Sequence, residues 1–390
     1  MSDYDVVVVG GSAAGLSAAL VLSRARRKVL VVDSGTPRNA PAAHMHGFLS
    51  RDGMPPGELL DIGRDEIRGY GGEVHSSTVA EIVRCGASGF WVLLSDGQRV
   101  SARRLLVATG LRDELPDVPG LRDRWARDVL HCPYCHGYEV RDQQLGVLGV
   151  SPDAVRYAQI VRQWADDVVF FAPTGTLTEA HRSQLVARAV GIVEGTVSRV
   201  LVEDDRLLGV EMDDGRIIRR DALFVPPHFV PNNALFVGLG ADMDEDGWVA
   251  TSAGGQTSVP GVWAAGNVAN PRAQVITAAG EGSAAAIAIN GDLVDEDVRT
   301  AVRDFNPDTT ITKRSPIPPP NRHQLALMIW LAVFPTLTII NLVLGDWLRP
   351  MSPVLRTFVL ATTAVPIVIY GLMPHLHRLR AGVLTRAARG

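Results

Sequence analysis

A strand–turn–helix–strand pattern that occurs twice restricts the possible folds of this chain more than any other feature. In the first copy, the apolar run Asp5–Val9 leads into a glycine-rich turn, helical spacing over Leu16–Arg24 and a strand that ends at Asp33. The second copy starts with the strand Leu145–Leu148 and continues into a helix over Ala154–Trp164. Units of this kind build parallel sheets that helices cover on both faces. The sequence therefore predicts an α/β fold with two doubly wound domains.

The order of the two units along the chain predicts how the domains are divided. A length of 390 residues allows two domains and an extension. Features of the first unit return after about residue 230, which indicates that the second domain is inserted in the first. The predicted segments are 1–115 with 232–304 for the first domain, 116–231 for the inserted domain, 305–322 for a proline-rich linker and 323–380 for a two-helix segment.

The two-helix segment is apolar enough to lie in a membrane. Residues 325–345 carry no charged side chain, and Thr357–Met373 is about as apolar. About twenty helical residues cover the roughly 30 Å hydrocarbon core of a bilayer, so a C-terminal transmembrane hairpin is predicted. The alternative is an amphipathic hairpin buried at a dimer interface, which a helix that is apolar on every face disfavours. Basic residues before and after the pair predict that both ends face the cytoplasm. These residues are Lys313, Arg314, Arg322, Arg378, Arg380, Arg386 and Arg389.

Composition excludes some classes of function. The formal net charge is −4 and the basic residues are scattered along the sequence, so no nucleic acid is expected as a partner. Only 3 cysteines are present, too few for a disulfide scaffold, and two of them lie in one Cys-x-x-Cys motif. The apolar run Val6–Val9 is too short for a signal peptide. We therefore expect the domains before the hairpin to fold in the cytoplasm.

The turn of the first unit has the composition of a phosphate-binding turn. Its six residues are Gly10, Gly11, Ser12, Ala13, Ala14 and Gly15. Small side chains let the backbone approach a pyrophosphate at the N-terminus of the following helix. Asp33 is placed to accept hydrogen bonds from ribose hydroxyls, and Ser34 beside it is included in the predicted site. Ser12 occupies the position where a second glycine is usual, so the strand before the turn and the acid after it carry the prediction of a dinucleotide site.

Two later segments resemble motifs of flavoproteins with two dinucleotide-binding domains. Leu105–Gly110 resembles their Ala-Thr-Gly strand end, and Val262–Gly282 resembles their late FAD motif. The resemblance implies that FAD binds this chain, with the helix that begins near Gln274 directing its dipole at the flavin ring. It also implies that the segment from Pro37 to Phe48 lies along the flavin. The residues that it adds to the predicted FAD site are Asn39, Thr109, Gly110, Gly266, Asn267, Gln274 and Val275. The family usually has aspartate at position 267, and an asparagine there can still bind a hydroxyl.

The cysteine motif predicts thiol–disulfide chemistry. It reads His131-Cys132-Pro133-Tyr134-Cys135-His136 and lies just before the second unit. Two cysteines three positions apart can meet at the start of a helix, whose N-terminal dipole favours a thiolate. A zinc knuckle is the alternative. Because one Cys-x-x-Cys without a second pair of ligands makes a poor closed zinc site, no metal is predicted.

In this position the motif resembles the active disulfide of the low-molecular-weight thioredoxin reductase family. The resemblance implies that Cys135 faces the flavin and forms the charge-transfer thiolate, while Cys132 exchanges with the substrate. His136 stands where that family has its acid–base aspartate, and a histidine there can take a thiol proton near neutral pH. The resemblance also implies a homodimer. His44 and His46 either reach this site or lie in a surface loop, and the sequence leaves both open.

The second unit departs from the family pattern for NADPH. Its turn runs from Gly149 to Ala154, with Ser151 where the backbone should approach a pyrophosphate. Family members that bind NADPH usually follow the next strand with a basic cluster, because guanidinium groups grip a 2′-phosphate by paired hydrogen bonds. Here no arginine appears before Arg182. Whether NAD(P)H is a second cofactor is therefore left open.

Three functions are compatible with these motifs. With NAD(P)H, the chain is an FAD-dependent disulfide reductase that acts on a thioredoxin-like protein. Without it, thiols supply the electrons, and the chain resembles the dithiol oxidases of this superfamily, which close disulfides in small molecules and pass electrons to oxygen. A membrane-tethered flavin redox sensor would instead show little turnover and would change its association on reduction. The statement common to the two enzymes is an FAD-dependent thiol–disulfide oxidoreductase that uses the Cys132/Cys135 pair.

Overall fold

The computed structural model describes residues 3–86, 89–151, 153–305, 320–376 and 378–379. The chain divides into two compact units, Met1–Arg303 and Asp304–Gly390. Most of the predicted proline-rich linker, with Lys313 and Arg314, and the basic residues from Arg380 onward lie outside the described residues.

The strands in the described residues are β1 (Tyr4–Val9), β2 (Val29–Asp33), β3 (Glu73–Ser76), β4 (Val79–Cys85), β5 (Gly89–Leu94), β6 (Arg99–Val107), β7 (Leu111–Glu114), β8 (Val129–Leu130), β9 (Leu145–Leu148), β10 (Val168–Ala172), β11 (Gly191–Glu194), β12 (Val197–Glu203), β13 (Arg206–Met212), β14 (Ile217–Arg219), β15 (Ala222–Phe224), β16 (His228–Pro231) and β17 (Val262–Ala264). The helices are α1 (Ala13–Arg24), α2 (Pro56–Gly69), α3 (Pro133–His136), α4 (Ala154–Val161), α5 (Glu179–Ala187), α6 (Ala234–Leu239), α7 (Val275–Asp304), α8 (Arg322–Leu348) and α9 (Pro353–Pro366).

The first sheet follows the order β3-β2-β1-β6-β5-β4, and β17 pairs with β6 outside this path. Strand β1 lies parallel to both neighbours, with Val8 opposite Val31 in β2 and Leu106 in β6. The four residues Val6–Val9 are all buried, which explains their unbroken apolar run. Strand β17 follows all strands of the second sheet in the sequence and lies parallel to β6. The chain therefore returns to the first sheet after the second sheet is complete.

The second sheet is parallel throughout and has the order β11-β10-β9-β15-β8. Helices α4 and α5 share one buried cluster with it, in which Ala158 and Leu185 lie with Phe170 and Phe224. A three-stranded antiparallel sheet, β12-β13-β14, and a two-stranded ribbon of β7 and β16 complete the first unit. The predicted α/β fold with two doubly wound sheets is confirmed, while the residue boundaries of the predicted domains stay a prediction.

Two glycines allow helix α1 to approach its neighbours very closely. A Cβ on Gly15 would lie 1.8 Å from the carbonyl oxygen of Gly10, and a Cβ on Gly282 would lie 2.0 Å from the carbonyl oxygen of Ala14. The backbone of α7 therefore packs directly on the start of α1. This contact brings the glycine turn and the late segment 262–282 together at the carboxyl ends of β1, β6 and β17.

The second unit contains α8 and α9, which contact each other. Helix α9 continues through a π-helical turn at Ile367–Leu372, directly after Pro366. Helix α8 and the helical segment Pro353–Leu376, which includes α9 and the π-helical turn, are long and apolar enough to cross a membrane. They lie where the two spans are predicted. The buried positions Met328, Ala332, Thr336 and Ile340 of α8 form a stripe with four-residue spacing, as expected of a helix that packs one face on a neighbour.

Candidate active site

The glycine turn between β1 and α1 is held by Asp33 at the end of β2. Gly10 has a φ of +104°, which a residue with a side chain rarely adopts. The N–H of Gly11 donates to Oδ1 of Asp33 at 3.0 Å, and a Cβ on Gly11 would lie 2.6 Å from the Asp33 carboxyl carbon. Ser12 is the N-cap residue of α1, and the helix starts with Ala13, Ala14 and Gly15. The turn is a cradle that side chains would fill, so it fits the pyrophosphate of FAD at a helix N-terminus.

The second carboxylate oxygen of Asp33 also has a protein partner. Arg64 on α2 places Nη2 3.1 Å from Oδ2 of Asp33, and its Nη1 lies 2.8 Å from Oδ1 of Asp61. Each carboxylate oxygen accepts more than one hydrogen bond, so Asp33 can bind Arg64 and a ribose hydroxyl together. Sequence reasoning missed Arg64, because α2 and β2 are brought together by the fold and not by a motif. Ser34 next to Asp33 is exposed, and its hydroxyl lies 2.8 Å from that of Thr36.

Thr109 and Gly110 follow β6 at the same edge of the first sheet. The Thr109 hydroxyl donates to the carbonyl oxygen of Asn232 at 2.8 Å, and Nδ2 of Asn232 donates to the carbonyl oxygen of Thr109, also at 2.8 Å. The N–H of Asn232 donates to the carbonyl oxygen of Gly110 at 3.0 Å. These bonds tie the end of the predicted segment 1–115 to the start of 232–304. Asn232 is a second residue that the sequence motifs did not indicate.

Side-chain hydrogen bonds join the turn after β17 to the first turns of α7. Gly266, at a φ of +76°, donates its N–H to Oε2 of Glu281 at 3.0 Å, and Oε1 of Glu281 accepts from Nδ2 of Asn270 at 2.6 Å. Asn267 donates through Nδ2 to the carbonyl oxygens of Asn270 and Ala273 at 3.0 and 2.9 Å. The amide N–H groups of Asn267 therefore serve the protein backbone, and its Oδ1 is the atom left to meet a ribityl hydroxyl of FAD.

The N-terminus of α7 lies close to the loop that contains His44 and His46. Gln274 directly precedes the helix, which begins at Val275. A Cβ on Gly47 would lie 3.6 Å from Oε1 of Gln274. Asn39 stands earlier in this loop, where its carbonyl oxygen accepts the N–H of Ala42 at 3.0 Å. The structure thus gathers the glycine turn, the late segment and the loop around one face, which is where the sequence placed FAD.

The two cysteines of the motif form a disulfide at the start of α3. Cys132 is the N-cap residue of this one-turn helix, and the Cα atoms of Cys132 and Cys135 lie 5.2 Å apart. The N–H groups of Cys135 and His136 both reach the carbonyl oxygen of Cys132 at 3.1 Å. Tyr134, between the cysteines, is 65% exposed and contacts the ring of Trp164 edge-on with ring centroids 5.5 Å apart. The disulfide is therefore fixed by a short helix, with both cysteines half-buried and Tyr134 exposed between them.

The surroundings of His136 favour its uncharged imidazole form, because its pKa is lowered. Burial lowers the pKa of His136, the negative charge of Glu139 opposes this change, and His46 lowers the pKa further. Its Nδ1 is buried and has no hydrogen-bond partner among the described residues. A neutral imidazole next to Cys135 can accept the proton that a thiol loses.

A chain of contacts connects His131 with the ribbon of β7 and β16. The ring of His131 meets Phe229 edge-on with centroids 5.1 Å apart, and the Arg38 guanidinium lies 5.0 Å from the Phe229 ring centroid. Arg38 also donates to both carboxylate oxygens of Asp113, at 2.8 and 2.6 Å. Burial lowers the pKa of His131 to about 4, and the positive charge of Arg38 acts in the same direction. The residue before Cys132 is therefore neutral, so it adds no cation beside that sulfur.

The second dinucleotide unit carries an acid where a phosphate-binding cluster is typical. Strand β10 ends at Ala172, which lies opposite Glu194 at the end of β11. Arg182, the first arginine after β10, forms an ion pair with Glu194. A carboxylate at this edge repels a 2′-phosphate and engages the nearby guanidinium. At the turn itself, Ser151 is exposed, and a Cβ on Gly149 would lie 2.6 Å from the carbonyl oxygen of Phe171.

Two doubly wound sheets, a dinucleotide cradle and a disulfide at a helix start define a flavoprotein disulfide oxidoreductase. The family model for pyridine nucleotide-disulphide oxidoreductases matches residues 4–282, and the chain belongs to this family. Its members are enzymes that use FAD and a nicotinamide nucleotide. A second family model, the Y2318 C-terminal domain, matches residues 319–384, which include both apolar helices.

Named relatives agree with this assignment. The chain is 31% identical over 307 residues to thioredoxin reductase sirT from Leptosphaeria maculans, covering 74% of this chain and 94% of that protein. The crystal structure of HlmI is 58% identical with a TM-score of 0.75, covering 77% of this chain and 95% of HlmI. A putative thioredoxin reductase TrxB from Bacillus anthracis is 31% identical with a TM-score of 0.72, covering 75% and 99%.

Proposed function

We propose that this chain is an FAD-dependent thiol–disulfide oxidoreductase that oxidises a dithiol substrate and passes the electrons to oxygen. The observation that carries the direction is the ion pair between Glu194 and Arg182 at the edge of β10 and β11. It places a carboxylate, not a free cation, where NADPH would need a contact for its 2′-phosphate. The second support is Ser151, which replaces a residue of the turn that would approach the pyrophosphate of NADPH or NADH. The dithiol is then the source of electrons, and the overall reaction converts a dithiol and O₂ into a disulfide and H₂O₂.

The cysteine pair and His136 supply the exchange chemistry. A substrate thiol attacks Sγ of Cys132, the bond between Cys132 and Cys135 breaks, and Cys135 leaves with the electron pair as a thiolate. His136 accepts the proton of the attacking thiol. The second substrate thiol then attacks the substrate sulfur of the mixed disulfide and gives its proton to the leaving Cys132 sulfur, which releases Cys132 as a thiol and the closed product. FAD, when bound in the glycine cradle, supplies the two-electron acceptance that the reduced cysteine pair requires.

The second candidate is the reductase direction, which the named relatives favour because several are called thioredoxin reductase. In that direction a nicotinamide nucleotide reduces the chain, and the Cys132/Cys135 dithiol reduces a thioredoxin-like protein. The two directions share every residue of the FAD cradle and of the cysteine motif. They differ in what the second sheet binds.

Anaerobic reduction of the purified, FAD-loaded chain separates the two directions. We expect a small dithiol such as dithiothreitol to bleach the flavin absorbance within seconds, NADPH and NADH to leave it oxidised, and peroxide to form once air is admitted. Rapid bleaching by NADPH or NADH would overturn the oxidase direction in favour of the reductase. Slow reaction with all three would overturn both enzymes and favour a redox sensor.

We propose in addition that α8 and α9 anchor the chain in a membrane with the catalytic domains in the cytoplasm. We also propose that the chain forms a homodimer, which its resemblance to thioredoxin reductases implies. The apolar length of both helices supports the anchor, and Arg322 at the start of α8 supports the orientation of that end. The domain division 1–115 with 232–304 and 116–231 is supported by the return of β17 to the first sheet.

A further inference from the structure

Tyr134 is the exposed residue of the cysteine motif. Its side chain is 65% exposed, whereas the other six residues of the segment 131–137 are buried or half-buried. It stands between Cys132 and Cys135, whose Cα atoms lie 5.2 Å apart. A molecule that approaches this motif from solvent therefore meets the phenol ring of Tyr134.

Trp164 holds the Tyr134 ring in place. The two rings meet edge-on, with centroids 5.5 Å apart and an angle of 87° between their planes. The indole lies directly on the end of α3, where a Cβ on Gly137 would be 2.8 Å from the indole Cδ2 atom. Gly137 has an ordinary helical φ of −64°, so close neighbours and not its own backbone conformation require a glycine there. The N–H of Asp142 donates to the carbonyl oxygen of Trp164 at 2.9 Å, which fixes the support of the Tyr134 ring from a second side.

An exposed ring on a fixed support is suited to bind another apolar ring. A tyrosine ring presents a large apolar surface, and covering it with a ligand removes that surface from water. Because Trp164 already restricts the Tyr134 ring, little conformational entropy is lost when a ligand covers it. Aromatic pairs prefer offset-stacked or edge-on arrangements, and the exposed part of the Tyr134 ring is open to such a contact.

The charged side chains that follow the motif have partners within the protein. Oε1 of Glu139 lies 3.4 Å from Nε2 of His46, and the guanidinium of Arg141 lies 4.0 Å from the ring centroid of Tyr138. His44, from the same loop as His46, instead binds a backbone carbonyl oxygen of that loop at 3.0 Å. These contacts engage the one acid and the one arginine of residues 131–141. Apolar contact, and not a free charge, is therefore what this surface offers a substrate.

We propose that Tyr134 determines substrate specificity, because its ring packs against an apolar ring of the dithiol while a substrate thiol attacks the neighbouring disulfide. This role rests on the proposed function and names the class of dithiol that it prefers, a small molecule whose two sulfurs are carried by an apolar ring system. An acyclic polar dithiol reaches the same sulfurs without this contact. The Tyr134 ring adds binding energy and takes no part in the exchange of sulfur bonds.

Two small dithiols separate the ring contact from the reactivity of the disulfide. Full-length, FAD-loaded protein in detergent is mixed anaerobically with dithiothreitol or with ortho-benzenedimethanethiol, whose two thiols are carried on a benzene ring. Bleaching of the flavin, measured where its rate rises linearly with dithiol concentration, gives a rate constant for each. The readout is the ratio of the aromatic rate constant to that of dithiothreitol, in which a changed reactivity of the disulfide cancels.

We expect Tyr134→Ala to lower this ratio by about 3- to 10-fold, the effect of losing one aromatic contact. Tyr134→Phe keeps the ring and should keep the ratio of the parent. Tyr138→Ala is the matched control, because Tyr138 is also 65% exposed but Arg141 lies over its ring, so its ratio should equal that of the parent. If Tyr134→Ala does not retain FAD, Tyr134→Leu replaces it, and the ratio should fall by less because apolar area is kept.

The same measurements separate this role from the proposed function. A flavin that dithiothreitol bleaches, with a ratio that is the same in Tyr134→Ala and the parent, would overturn the role of Tyr134 and leave the proposed function standing. An equal fall of the ratio in Tyr138→Ala would also overturn the role, because the preference would then not depend on the ring between the cysteines. A parent flavin that neither dithiol bleaches would overturn the proposed function, and the role of Tyr134 with it.

Discussion

Nδ2 of Asn267 lies 2.9 Å from the carbonyl oxygen of Ala273, and this bond joins the turn after β17 to the last residues before α7. A second bond from the same nitrogen reaches the carbonyl oxygen of Asn270 at 3.0 Å. Aspartate, the usual residue of relatives at this position, has no N–H to donate. Asparagine at position 267 is therefore suited to this chain's own backbone and is more than a neutral replacement.

We expect Asn267→Asp to weaken the fold and FAD binding, although it restores the usual family residue. The substitution removes two donated hydrogen bonds and points a carboxylate at two carbonyl oxygens, at a cost of about 1–3 kcal/mol. Thermal unfolding followed by the fluorescence of released FAD measures both effects. Asn290→Asp is the matched control, because Oδ1 of Asn290 accepts from Arg27 at 2.8 Å and a carboxylate also accepts. Equal stability of Asn267→Asp and the parent would show that the amide is not used as a donor.

The sequence predicted the parts of the site that depend on local pattern. The buried run Val6–Val9 and the small residues after it predicted β1 and its turn, because a parallel strand and a close backbone approach each need particular residue types. The spacing of Cys132 and Cys135 predicted the disulfide partners in the same way. Each of these features is formed by residues that are close in the sequence, so it can be predicted without knowing how the rest of the chain folds.

The polar partners of the site could not be predicted in this way. Arg64 reaches Asp33, Asn232 reaches Thr109, and Glu139 reaches His46, and each pair lies on different elements. Such pairs depend on sheet order and helix packing, which composition and spacing do not determine. Glu281 is the exception among the missed residues. It is the next-to-last residue of the late FAD motif Val262–Gly282, and an acid among small residues there was a signal for a backbone partner.

His131 predicts a loss of stability on mild acidification. Burial lowers the pKa of His131 to about 4, whereas a histidine in an unfolded chain titrates near 6.5. Between these values the unfolded chain binds the proton more readily. The stability that neutral His131 contributes is therefore fully present above about pH 6.5 and is lost as the pH falls toward 4.

We expect this loss to reach about 2–3 kcal/mol and to be absent in His131→Asn, whose side chain does not titrate. Urea unfolding of both proteins at a series of pH values from 7 to 4.5 checks it. The difference between the two unfolding free energies should change across this window and stay constant above it. Parallel pH curves for the parent and the variant would contradict a neutral, buried His131.

The apolar helices predict firm membrane attachment. Each residue of α8 that faces lipid loses contact with water, so the full chain should stay in the membrane pellet after washing at alkaline pH with carbonate. A chain that ends at Arg322 lacks both helices and should appear in the soluble fraction with its FAD. Phe334→Lys is a finer test, because Phe334 is 57% exposed on α8 and a central charge costs about 3 kcal/mol of insertion. Equal retention of all three chains would rule out the hairpin as the anchor.

The two cysteines predict different spectra when each is replaced by serine. In Cys132→Ser the thiol of Cys135 remains, and if Cys135 is the cysteine that faces the flavin, a long-wavelength absorbance band should be present without any added dithiol. Cys135→Ser leaves only the thiol of Cys132 in the motif. With the predicted role of Cys132 as the cysteine that exchanges with substrate, no such band should appear even after dithiothreitol is added. Both variants should lose turnover by about 10³-fold or more, since neither can close the disulfide, so activity alone cannot assign the two roles. A band in Cys135→Ser and none in Cys132→Ser would reverse the assignment, with Cys132 facing the flavin and Cys135 receiving the substrate thiol.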